Sequence, residues 1–105
     1  NIMIKVSVLY PNSENLVFDK EYYLDKHVPL VSELLGEALK NVQVDFGLTN
    51  GSSDESAIYV VITHLTFDSI ESFQNIFPIH AEELLSDIPR FTNSRPQLQI
   101  SEIII

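Results

Sequence analysis

The chain has 105 residues, 45% of them hydrophobic and 20% charged, with 6 Lys and Arg against 15 Asp and Glu for a formal net charge of −9. That balance fits one soluble domain over residues 1–105, large enough to bury roughly 65% of its unfolded surface, and the negative charge argues against nucleic acid as a partner. With no cysteine, disulfides and thiolate chemistry are excluded, and no apolar run reaches the roughly 18 residues of a membrane span.

No basic-then-apolar leader opens the chain, so a cytoplasmic protein is expected, with Met3 as the native start and Asn1-Ile2 as an added remnant. Residues 2–10 alternate, Ile4, Val6 and Val8 against Met3, Ser7 and Leu9, which predicts a strand. The polar run PNSEN then predicts a turn. Asp19 is placed to cap a helix, and Phe18 before it to staple onto the first turn. In that helix Tyr23, His27, Leu30, Val31 and Leu34 recur at spacings of three and four, so they share a face, and Gly36 is placed to end it. Pro29 cannot bond the carbonyl of Asp25, which predicts a bend and free space beside His27.

Residues 41–48 alternate again, Val42, Val44, Phe46 and Leu48 against Asn41, Gln43, Asp45 and Gly47. The loop NGSSDES leads to a long predicted strand, 57–67, apolar on both sides. Asp68 to Glu71 reads as a capping box, and Ile70, Phe73, Phe77, His80 and Leu84 as the stripe of a second helix. Pro78 lies within it, which predicts a kink or a split. Asp87-Ile88-Pro89 ends that helix, and residues 98–105 supply a last strand.

The order is β-α-β-β-α-β, an α+β, ferredoxin-like arrangement with both helices on one side of an antiparallel sheet. The other side, read from Val60, Val61, Ile62 and Leu65, is expected to be apolar. A second copy is then the expected cover, giving a homodimer through the sheet faces.

The stretches KVSVLYPN, FDKEYYLDKHVPLV, FDSIESFQNIFPIHAEELLSDIPRFTN and QLQISEI together resemble the EthD family, named for a protein of ether degradation. The most specific piece is FDxxYYxxxHxPL, followed by HAxEL and DIPxFT. The resemblance implies a dimeric α+β barrel, two ferredoxin-like sheets packed face to face. It also implies cofactor-independent chemistry on a small organic acid, lactone or phenol. Related sequences include lactone isomerases and decarboxylases or dehydratases of aromatic polyketides. Where many relatives read HMPL this chain has HVPL, a mild departure.

His27 has two readings: a core histidine satisfied by a neighbour, or a pocket acid/base that takes and returns a proton near neutral pH. Tyr23, four residues earlier on the same face, either fills the core or orients the imidazole and a substrate oxygen. Tyr22 points about 100° away and reads as a packing or rim residue. His80 reads as half-buried against the sheet or as a pocket group. Asp87 closes its helix and satisfies loop amides or, as the resemblance implies, faces the same pocket as His27. His64 reads as structural. A metal held by His27, His64 and His80 requires the fold to gather them, and no cofactor is expected, since Gly36, Gly47 and Gly51 lie too far apart for a phosphate loop. The expected function is binding of a small aromatic, lactone or organic-acid ligand. His27 would shuttle a proton while Tyr23, His80 and Asp87 orient or polarise. The alternatives are a non-catalytic carrier or a metal-free monooxygenase.

Overall fold

Alternating apolar residues make Ile4–Pro11 (β1) a strand with one face for the core. It pairs antiparallel with Tyr59–Phe67 (β3) on one side and Gln97–Glu102 (β4) on the other, and Asn41–Phe46 (β2) adds to the free edge of β3. The sheet order is β2-β3-β1-β4, the split βαβ topology predicted from the element order. The structure is a computed structural model that describes residues 2–52 and 54–105; the expectation for Asn1 lies outside the described residues.

The first helical arm, residues 20–35, is built of three pieces. Lys20–Tyr22 (α1) begins it, a π-helical turn follows over Tyr23–His27, and Val28–Leu35 (α2) completes it. Asp19 caps it, its carboxylate accepting from the Tyr22 amide at 3.0 Å. Phe18 meets Tyr23 edge to face at 5.3 Å between ring centres, the hydrophobic staple expected at this entry. Pro29 sits in the first turn of α2, where its missing N–H is tolerated. The expected irregularity is therefore the π-turn just before it, with the Val28 N–H bonding the Tyr23 carbonyl five residues back. That wider turn takes up an extra residue and carries the buried stripe onto Leu35, which is 2% exposed, in place of the predicted Leu34. Gly36, at φ 57°, ends the arm as expected.

The second helix, Ile70–Asp87 (α3), is capped one residue later than expected and is not split at its proline. Its cap is Ser69, whose hydroxyl accepts from the Ser72 amide at 3.1 Å, so the predicted box at Asp68 and Glu71 is shifted by one residue. The helix also runs unbroken through Pro78. Gln74 and Pro78 are both exposed, so water can meet the carbonyl that the proline leaves unbonded.

The helices cover Ile4, Val6, Tyr10, Val61, Thr63, Leu65 and Phe67. The opposite face is not the apolar surface predicted. Strand alternation puts Lys5, Ser7, Gln43, Asp45, His64, Thr66 and Gln99 there, around Leu9 and Ile62. Val61 and Leu65 point under the helices instead. Val60 has no partner opposite it, because the register slips between Tyr10 and Pro11, and it packs toward the Tyr10 cluster. Two core clusters result. One gathers around Leu35, Phe67, Phe73 and Leu84, the other around Tyr10, Tyr23 and Phe91, and Val8 touches both.

Candidate active site

The π-turn stacks Tyr23 on His27, rings 5.4 Å apart and inclined by 22°, and both are buried. Asp87, the last residue of α3, reaches back across the gap. Its Oδ2 lies 2.8 Å from His27 Nδ1, and its Oδ1 accepts from the Tyr22 hydroxyl at 2.8 Å. Arg90 Nε stands 3.7 Å from the same carboxylate on its exposed side. Phe91 closes over the imidazole with ring centres 4.6 Å apart.

Between the helices and the sheet lies a cavity of about 120 Å³. Its walls are mainly apolar, among them Val8, Val31, Val42, Leu65, Ile88 and Leu98. Its polar groups are His27, Tyr10, Tyr23 and Thr63, the last two joined hydroxyl to hydroxyl at 2.6 Å. Leu85 and Leu98 line it yet are more than half exposed, so they mark its mouth. Among the described residues every fully buried side-chain polar atom has a partner. His27 Nε2 has no hydrogen-bond partner among the described residues, so it is not fully buried, and His27 is part of the cavity wall.

The sequence-predicted residues divide accordingly. His27, Tyr23 and Asp87 are brought together. His80 is not: it stands about 60° around α3 from Phe77, at the stripe's edge, half-exposed and outside the cavity wall. His64 is on the other face of the sheet, 2.9 Å from Ser7 Oγ and 3.4 Å from Asp45, so the three histidines are not gathered. Tyr22, read as a rim residue, is in fact a direct partner of Asp87. Tyr10 and Thr63 went unread as site residues. Their signal was polarity at inward positions of two apolar strands.

The EthD domain family matches residues 18–95. An EthD-like protein from Ralstonia eutropha JMP134 is 38% identical at a TM-score of 0.95, over 100% of this chain and 95% of that one. An EthD family protein from Bacillus halodurans C-125 is 23% identical at a TM-score of 0.75, over 97% and 99%. The chain belongs to the EthD family. A dimeric ferredoxin-like protein of unknown function from Thermobifida fusca, 17% identical with a TM-score of 0.62 over 98% and 92%, shares the fold. No match was found among curated proteins. Among the described residues no helix is long and apolar enough to cross a membrane.

In this EthD chain, burial sets the protonation states. Desolvation holds the His27 imidazole below its ordinary pKa, against the opposing pull of the Asp87 hydrogen bond and charge. Burial would raise Asp87, but hydrogen bonds from His27 and Tyr22, with the charges of His27 and Arg90, bring it below the ordinary carboxylate value. The carboxylate is therefore ionised and can only accept, which places the imidazole proton on Nδ1 and leaves a lone pair on Nε2. Burial pushes Tyr23 up, and burial with the neighbouring Tyr23 hydroxyl pushes Tyr10 far up, so both phenols keep their protons. The site thus pairs one neutral base with neutral donors.

Because His27 titrates below its ordinary 6.5 only when folded, the unfolded chain binds more protons just below that pH. Stability should therefore fall as pH drops from about 7 to about 5. Denaturant melts across that window should show the fall, and His27→Gln should flatten it; an equal slope in the variant would contradict the assignment.

Proposed function

We propose that this protein is a cofactor-independent acid/base catalyst acting on a small aromatic, lactone or organic-acid ligand held in the cavity. The observation that supports this reading is the buried His27 in the wall of a mainly apolar cavity, its Nδ1 held 2.8 Å from Asp87 and its ring beside Tyr23. Tyr23 or Tyr10 would donate a hydrogen bond to a substrate carbonyl. His27 Nε2 would then take a proton from the adjacent carbon: the C–H bond breaks, the N–H bond forms, and the electron pair passes into an enolate whose oxygen the phenol stabilises. Returning the proton to a different carbon completes an isomerisation. Expelling a β-hydroxyl completes a dehydration, with the imidazolium proton leaving as part of water. A dry wall strengthens each of these few polar contacts. Asp87 would act by orienting the ring and Tyr22 by holding Asp87, and His80 has no part.

The same reading takes the protein as a homodimer through the sheet faces. Support comes from the apolar centre at Leu9 and Ile62 and from similar folds described as dimeric. Polar side chains ringing that centre fit an interface with an apolar core and a polar rim. Light scattering at micromolar concentration should give twice the chain mass, and a single-chain mass would refute the dimer.

Solvent exchange tests the chemistry. Ring-sized ketones and lactones incubated with the protein in D2O should gain deuterium at the carbon next to the carbonyl. His27→Gln should slow this by about 10²- to 10⁴-fold, and Tyr23→Phe by about 10². Exchange unchanged in His27→Gln would overturn the catalytic reading, and ligand binding without any exchange would leave a carrier.

A further inference from the structure

We infer that the cavity selects uncharged carbonyl compounds of about one ring and rejects carboxylates, which removes organic acids from the ligand classes above. This rests on the same cavity as the proposed function but not on any turnover.

The positive charges of the chain decide it. A buried anion needs a cation within reach, because a carboxylate stripped of water and left unpaired is expensive. The chain has only six Lys and Arg, and none is in the cavity wall. Lys5 projects from the outer sheet face, one residue out of step with Ile4 and Val6. Lys20 lies over the Phe46 ring at 4.8 Å, and Lys40 is 3.8 Å from Asp68. Lys26 and Arg95 are exposed and line no part of the cavity. Arg90 stands 3.7 Å from Asp87, but it is 70% exposed and is not in the cavity wall.

The site's own charge adds to this. Asp87 is ionised behind His27, so the fixed charge next to the polar groups is negative. If an incoming acid drove His27 to its imidazolium form, that cation would already be paired with Asp87 at 2.8 Å. The ligand would still be the unmatched charge. The net charge of −9 further lowers the local concentration of any anion. The polar groups of the wall beside His27 are the uncharged Tyr10, Tyr23 and Thr63 hydroxyls, and the protons not used in the Tyr23–Thr63 bond suit a neutral carbonyl or phenol oxygen. About 120 Å³ is room for roughly one aromatic ring.

The test compares two ligands of nearly the same shape, acetophenone and benzoate, the second carrying O− where the first has a methyl. Titration calorimetry at pH about 7.5 should show acetophenone binding about 100-fold or more tightly than benzoate. Leu98→Arg sets a cation at the exposed mouth and should raise benzoate affinity at least about tenfold. Benzoate binding as tightly as acetophenone overturns the inference, and so does undetectable binding of acetophenone. Acetophenone bound without deuterium exchange would defeat the catalytic proposal and leave this one standing. Exchange together with equal benzoate affinity would do the reverse.

Discussion

The hydrogen bond between His27 and Asp87 joins two segments sixty residues apart and fixes what the site can be. It ties the middle of the first helical arm to the end of α3, over the cavity both elements help to enclose. The bond is charge-assisted, so it is shorter and stronger than one between neutral groups. It also spends the Nδ1 proton, and with it the imidazole's choice of tautomer. Burial alone would leave a neutral ring free to turn; with Asp87 in place, one nitrogen is bound and the other has no partner among the described residues. Losing Asp87 would leave the buried imidazole N–H without a partner, which costs about 1–3 kcal/mol.

The backbone makes that bond possible. An ordinary α-helix can end at a proline, but here the chain continues by widening one turn, and the widened turn is the stretch that carries Tyr23 and His27. Tyr22, at its start, swings toward Asp87 and supplies the carboxylate's second hydrogen bond. The DKHVPL stretch thus combines a helix irregularity with a buried imidazole, a pairing often found where a protein needs a side chain re-aimed into a cavity.

Much of this was legible from residue order. The alternation in 2–10 and 41–48, the Asp19 cap and the Phe18 staple give the strands and the entry of the first helix, because each is decided by near neighbours. The family resemblance set Asp87 near His27, which no local rule could do; the two are hydrogen-bonded, although Asp87 is not in the cavity wall. What failed was decided by geometry beyond the local repeat. A π-turn shifts the helical period, so the Leu34 that regular spacing predicts gives way to Leu35 in the core. Asp68 and Ser69 compete at the start of α3, and Ser69, in extended conformation, makes the capping bond to the Ser72 amide. On β3, four apolar residues seemed to fill both faces, yet a register slip at Val60 and the inward aim of Val61 and Leu65 leave His64 and Thr66 outside. His80 shows the limit of stripe counting, since a residue at the edge of a stripe can face either way. Tyr22 was passed over because 3.6-residue periodicity points it away from His27, and its partner lies on another element.

The assembled picture is of an EthD-family fold whose cavity holds few polar atoms, each in a defined protonation state. The proposed chemistry requires that His27 present a bare Nε2 to that cavity. Nitrogen NMR of the imidazole rings near neutral pH reads this directly. The expected result is a neutral His27 with its proton on Nδ1 and an unprotonated Nε2; a proton on Nε2, whether in the other tautomer or in an imidazolium, would contradict it.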